Sequence, residues 1–205
     1  LKHGPQHRAQ QADGAWERVE MREMMDSRWL IVGFGSIGSA VGKRVQLLGG
    51  HVTGARRSPG PAEGADHIVP MALVKSELAQ ADIVLLSLPL TDETAGMVDA
   101  EFLSAMRPDA LLMNLGRGPL VDEAALLAAL DAGRPAFAAL DVTVEEPLPK
   151  DSLLWHHPKV AVTPHDSAAT AATYIRADET FLDNLQRYLA GEPLKHIVSP
   201  ETFAD

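Results

Sequence analysis

Arg117, Glu146 and His165 are the residues of this 205-residue sequence whose types and order suggest chemistry on a carbonyl compound. They lie in NLGRGPLVDE (114–123), LDVTVEEP (140–147) and TPHDSA (163–168). A guanidinium can hold a carboxylate and polarise a carbonyl, and an imidazolium can donate a proton. A carboxylate beside the imidazole favours its charged form. Addition of hydride to a ketone builds negative charge on oxygen, so both cations would stabilise the transition state more than the ground state. Each residue also has a plain reading: a surface salt bridge for Arg117, a loop acid before Pro147 for Glu146, a satisfied cap or core imidazole for His165. Their joint placement after successive predicted strands favours the chemical reading.

A second group could bind phosphates. VGFGSIG (32–38) is a G-x-G-x-x-G run of Gly33, Gly35 and Gly38 that follows a predicted strand and opens a predicted helix. In that context the first glycine makes the turn, the second admits a pyrophosphate to the backbone, and the third lets helix and strand pack closely. The amides of Ser36 and Ile37 at the helix N-terminus supply donors and partial positive charge. An acid about 20 residues further on would mark a free ribose 2′-hydroxyl. HVTGARRSP (51–59) has Arg56 and Arg57 there, followed by Ser58. A basic pair suits a 2′-phosphate, so the expected cofactor is NADP(H), with NAD(H) as the weaker ligand. The plain alternative is a solvated basic turn.

The elements that must position these groups follow from periodicity. Apolar runs at 29–32, 51–55, 82–88, 110–115, 136–142 and 160–163 read as buried strands. Between them, SIGSAVGKRVQLLGG predicts a helix with Ile37, Val41, Val45 and Leu48 on its core face, stopped by Gly49. Asp122 caps a second, with Leu126, Leu127 and Leu130 inward and Gly133 at its end. Strands apolar almost throughout and alternating with helices imply an α/β fold with a doubly wound parallel sheet. A final amphipathic helix is expected over about 168–189. Met21, Met24 and Met25 are assigned to one face of a helix, and His156-His157 to the surface with no metal-ligand spacing. No metal site is expected.

Composition bounds the partners. Hydrophobic residues make up 46% and charged residues 22%, as in an ordinary globular protein. A formal charge of -10 opposes a nucleic-acid groove or an anionic membrane surface as the main partner. There is no Cys, which excludes thiolate chemistry, and no apolar run of roughly 18 residues that could span a bilayer. A cytoplasmic location is expected. The chain opens at Leu1 on a polar segment with no strand before it.

Three stretches, VGFGSIG, NLGRGPLVDEAALLAAL and AALDVTVEEPLPKDSLLWHHPKVAVTPH, resemble in order and spacing the D-isomer-specific 2-hydroxyacid dehydrogenases. That family includes glyoxylate/hydroxypyruvate reductases. The resemblance implies that Arg117 anchors a 2-oxo acid, that His165 protonates its carbonyl oxygen as the nicotinamide delivers hydride, and that Glu146 holds His165. It further implies that Asp141 meets the carboxamide end of the nicotinamide. Leu88 and Pro89 would line the adenosine side, and Leu115, Gly116 and Ser167 would also contact the cofactor. Residues 1–26 would connect from a substrate domain lying mostly upstream, 27–167 would form the dinucleotide-binding domain, and 168–205 would return toward the substrate domain. A homodimer is the family habit. Asp166, directly after His165, departs from the family pattern. A nucleotide-sensing binding module is the competing expectation, because the C-terminal-binding-protein corepressors resemble the same family. The acidic charge and the Arg56-Arg57 pair favour the enzyme.

Overall fold

The computed structural model describes residues 4–58 and 60–197. Chain order is α1 (Gly4–Asp13), β1 (Arg28–Val32), α2 (Ser36–Leu47), β2 (His51–Arg56), β3 (His67–Pro70), α3 (Val74–Glu77), β4 (Ile83–Leu86), α4 (Ala100–Ala105), β5 (Leu111–Asn114), α5 (Glu123–Asp131), β6 (Phe137–Leu140), β7 (Val160–Val162) and α6 (Ala171–Ala190). The seven strands form one sheet in the order β3-β2-β1-β4-β5-β6-β7, with every pairing parallel. The order reverses at β1, and ligands of such sheets bind outside the strand C-termini at that switch point. The expected doubly wound fold is therefore the observed one.

One face of the sheet carries Leu30, Val32, Val84, Leu86, Leu112, Ala138 and Leu140, covered by Phe102, Leu103 and Met106 of the α4 region and Leu126 and Leu130 of α5. Each large apolar side chain taken fully from water contributes roughly 1.5–3 kcal/mol. The other face packs Trp29, Ile31, Ile83 and Leu85 against Val45 of α2. Leu127 is half-buried beside its neighbours, as the α5 pattern predicts. The caps also follow the sequence: Asp122 accepts from the Ala125 amide, and Gly49 adopts φ 80 just past α2.

Several elements differ from expectation. β3 is a seventh strand. Its four residues HIVP follow the Pro- and Gly-rich stretch SPGPAEGAD and are too few to show a period. The predicted inner face of α2 is only partly inward: Val45 is buried, whereas Ile37 and Leu48 are 53% and 57% exposed. Gly38 and Gly42 are buried instead, because α2 approaches its neighbours backbone to backbone. A Cβ on Gly42 would overlap the carbonyl of Gly64. The methionine segment 21–25 is not helical; Met24 packs beneath the sheet and Met25 lies against Gly49. His156 is exposed as expected, whereas His157 is half-buried, its ring meeting Asp131 and accepting from the Lys159 amide. α6 begins at the N-cap Thr170, ends at Gly191 in the left-handed region, and buries none of its residues.

Two glycine substitutions should separate packing from ligand access. Gly42→Ala is expected to destabilise the fold by about 1–3 kcal/mol through overpacking. A Cβ on Gly35 meets nothing within 4 Å, so Gly35→Ala should leave stability nearly unchanged. Urea unfolding of both variants checks this, and equal losses would contradict the close approach of α2.

Candidate functional site

The glycine loop leaves β1 at Val32. Gly33 has φ 91, and a Cβ there would come within 2.5 Å of the Leu88 amide nitrogen, so only glycine fits. Gly38 faces the Gly33 carbonyl and Ile31 at similarly short range. The space over Gly35 is open, and a Cβ would project into it. These are the three steric conditions under which such a loop admits a pyrophosphate at a helix N-terminus, next to the first-turn amides of Ser36 and Ile37. Ser87, at the end of β4, donates to the Gly33 carbonyl at 2.9 Å and fixes the loop from below. The pattern search did not single out Ser87. A small polar residue closing an apolar strand is its only signal.

A cleft of about 350 Å³ runs from this loop to the end of β2 and is lined by Gly33, Gly35, Arg56, Arg57, Leu88 and Pro89, with Ser58 at its edge. The two arginines differ. Arg56 is half-buried, and its Nη2 donates to the carbonyls of Gly60 at 3.0 Å and Pro61 at 3.4 Å, while its Nε is buried without an acceptor among the described residues. Arg57 and Ser58 are exposed. Arg56 thus shapes the turn and carries one buried orphan donor, and the Arg57 guanidinium makes no bond among the described residues.

At the ends of β5, β6 and β7 the chain is organised by buried polar groups. Asn114 is fully buried; its amide donates to the Arg117 carbonyl at 2.9 Å and its oxygen accepts from the Gly116 amide at 3.0 Å. That closes the turn after Leu115 and carries Arg117 outward, where Nη1 meets the Gly116 carbonyl at 2.7 Å. Gly118 lies against the Thr143 carbonyl so tightly that any side chain would overlap it. The Arg117 turn and the 141–146 loop are therefore in contact.

Asp141 is 4% exposed. Burial alone would raise its carboxyl, but hydrogen bonds from Ser167, the Thr163 hydroxyl and the Asp166 amide together hold it below the usual range. Oδ1 accepts from Thr163 Oγ1 and the Asp166 amide, and Oδ2 from the Ser167 amide. Most of the Asp141 acceptor capacity is thereby spent on the protein. Its backbone carbonyl accepts from the His165 amide at 2.8 Å. His165 has φ 52, an uncommon conformation that this bonding imposes.

The result is a short contact: His165 Nδ1 lies 2.8 Å from Glu146 Oε2. Glu146 Oε1 accepts from the Thr143 amide at 3.1 Å. The bond from His165, then that from Thr143, lowers the Glu146 carboxyl against a smaller opposing effect of burial, and the charges of His165 and Arg117 act in the same direction. Glu146 therefore stays ionised at neutral pH and fixes the ring with Nε2 free. Of the adjacent acids, Glu145 is exposed, and only its carbonyl takes part, accepting from Thr143 Oγ1. The Asp166 side chain makes no bond to His165. Behind the pair, a hollow of about 460 Å³ is walled by Leu148, Trp155 and Val162. Among the described residues no cluster of His, Cys, Asp or Glu could hold a metal, and no helix is long and apolar enough to cross a membrane.

The arrangement joins an open anion cradle, a cleft beside it, and a guanidinium after β5 and an imidazole after β7, on either side of the end of β6. The family model described as D-isomer specific 2-hydroxyacid dehydrogenase, NAD binding domain, matches residues 1–167. Glyoxylate/hydroxypyruvate reductase B of Pectobacterium carotovorum is 38% identical, with 91% of this chain and 63% of that protein covered. D-3-phosphoglycerate dehydrogenase of Mycobacterium tuberculosis is 38% identical over 162 residues, which are 79% of this chain and 30% of that protein. Among solved structures, a D-isomer specific 2-hydroxyacid dehydrogenase of Xanthobacter autotrophicus in complex with NADPH and MES superposes with TM-score 0.86 at 37% identity, covering 99% of this chain and 83% of that one. The NADPH-dependent glyoxylate/hydroxypyruvate reductase of Sinorhizobium meliloti, with NADP and sulfate, gives 0.87 at 28% identity, covering 97% and 64%. The chain spans 30% and 63% of the length of the two curated relatives above. By its fold, its strand-end sequences and a family match over residues 1–167, this chain belongs to the D-isomer specific 2-hydroxyacid dehydrogenases and contains their NAD-binding domain.

Proposed function

We propose that the full-length protein is an NADP(H)-preferring reductase of a small 2-oxo acid such as glyoxylate or hydroxypyruvate, and that this chain supplies its cofactor site and its proton donor. The observation that carries the reading is the 2.8 Å Glu146–His165 pair on the strand-end rim that also holds the glycine loop. The nicotinamide supplies the hydride. His165 Nε2 gives the proton to the carbonyl oxygen, Arg117 binds the carboxylate and steadies the growing negative charge, and Glu146 keeps the imidazole oriented and charged. Asp141, Leu115, Gly116 and Ser167 form the nicotinamide end of the cleft, and Leu88 and Pro89 the adenosine side.

The remaining substrate contacts belong to a second domain outside this chain. Two features support this: the relatives are longer, and α6 presents Tyr174, Ile175, Phe181, Leu182, Leu185, Tyr188 and Leu189 unburied along one stripe. Residues 1–26 and 168–205 then bridge the two domains. A homodimer in the cytoplasm fits this reading, and sedimentation of the full-length protein tests the assembly. A corepressor-like sensor would keep the nucleotide site without needing turnover.

In the full-length protein, His165→Ala should abolish nearly all hydride transfer while NADPH affinity changes by only a few-fold. Unchanged turnover in a stopped-flow assay would overturn the assignment. Because Glu146 is held low, the pair is intact above the ordinary carboxylate pH and is lost as pH falls through the lowered value. Glu146→Gln removes the charge at every pH. The limb of the pH–rate profile on which the imidazolium is needed should move to lower pH, and an unshifted profile would sever the pairing from catalysis.

For the cofactor, Arg57→Asp should reverse a preference for NADPH over NADH of about 10–1000-fold, from charge-assisted bonds weakened by exposure. Arg56→Asp should instead lose affinity for both nucleotides, because it releases the turn at Gly60 and Pro61. Calorimetric titration of both variants with both nucleotides decides this, and equal wild-type affinities would reduce the pair to a basic turn.

A further inference from the structure

We propose that a second ligand site lies at the opposite end of the sheet from the glycine loop, in a cleft at the N-terminal rim of β1, β2 and β3 that takes a small carboxylate or phosphate anion. The cleft encloses about 220 Å³. Strand register sets its composition. Arg28 pairs with His51, and Thr53 pairs with His67. Residues directly paired across parallel strands share a face, and so do residues two apart along one strand. Arg28, His51, Thr53 and His67 therefore stand side by side on the face that carries Leu30. All four line the cleft over the side chains of Leu30 and Ala81, and Asp66, Glu77 and Gln80 line it too.

The donors in this row are largely unmatched from within. In a protein with ten more acids than bases, the Arg28 guanidinium forms no salt bridge among the described residues and bonds only the neutral amide oxygen of Gln80, at 3.1 Å. His67 likewise has no side-chain partner among the described residues. His51 has only a 3.9 Å approach to the exposed Asp26.

The neighbouring carboxylates are mostly engaged elsewhere. Asp66 accepts from the Val52 amide and from Gln46. Asp82 accepts from the Arg28 backbone amide and is matched by Arg22 and Arg107. Glu77 is the remaining acid, and it favours an anion that also carries a hydrogen-bond donor. A guanidinium, two imidazoles and a hydroxyl make a concave set of donors in which an anion can be fixed by several hydrogen bonds at once, with Asp66 held by its contacts to the Val52 amide and Gln46. The ligand would tie together the starts of the strands whose other ends carry the glycine loop and Arg56.

The test uses the histidine ring resonances of the protein in NMR titrations with inorganic phosphate and, separately, malonate. Signals are assigned through His51→Gln and His67→Gln. Both histidines lie at the opposite end of the strands from the glycine loop, so phosphate entering the nucleotide cleft does not mimic the response. Saturable shifts of both rings by either probe are expected, with a midpoint in the low millimolar range that rises about tenfold in Arg28→Gln and about threefold in Thr53→Val. Arg28 is exposed and Thr53 half-buried at the cleft wall, so both variants should fold. Response to malonate alone assigns the site to carboxylates, and to phosphate alone to phosphates. Absence of saturation up to about 30 mM, or an identical midpoint in Arg28→Gln, would overturn the proposal.

Discussion

A carboxylate buried at the end of a strand must find donors, and Asp141 does so by drawing the chain after β7 back over β6. Its two oxygens collect the Thr163 hydroxyl and the amides of Asp166 and Ser167, and its carbonyl takes the His165 amide. An unpaired charge at this depth would cost several kcal/mol, so the loop has little freedom to lie elsewhere. His165 is thereby forced into its left-handed backbone conformation, with its ring against Glu146. Asn114 performs the neutral version of the same task one strand earlier, where its single amide closes the turn that presents Arg117. Arg117, Glu146 and His165 are exposed, and Asn114 and Asp141, which position their turns, are buried and satisfied.

This division explains how much of the site was legible in the sequence. Arg117, Glu146 and His165 stood out because charged residues after apolar runs break a pattern, and the glycines of VGFGSIG stood out because their spacing has a steric meaning. Asn114 and Ser87 did not, because one polar residue ending an apolar strand has the same appearance whether it caps a turn or faces water. Asp141 was noticed for a ligand role, whereas its contacts show that most of its hydrogen-bonding capacity is spent on the protein. Partner identity depends on folded geometry, and residue type does not encode it.

The fold was legible to a similar depth. The long apolar strands β1, β4, β5 and β6 could be read directly, since a sheet covered on both faces suppresses polar alternation. β3 was missed because its pairing with β2 is supplied by the sheet and not by a pattern of its own. The inner face of α2 was misjudged for a related reason. Apolar periodicity marks helices that pack through side chains, and α2 packs through Gly38 and Gly42, where the contact is made by absent side chains. Its large residues Ile37 and Leu48 were therefore free to face solvent.

The same reasoning bears on the basic turn after β2. Sequence treats Arg56 and Arg57 as equivalent charges, but Arg56 leaves the sheet edge with its side chain directed at the carbonyls of the loop it must close. A guanidinium whose Nη2 already bonds two backbone carbonyls is held in place whether or not a ligand is present, and that rigidity lowers the entropy cost of a phosphate meeting its unused donors. Arg57 is exposed, so it can contribute charge but must be ordered on binding. A phosphate bound here would then draw orientation from the first arginine and most of the exchangeable electrostatic attraction from the second, and discrimination between the two nucleotides would rest on the more exposed residue of the pair.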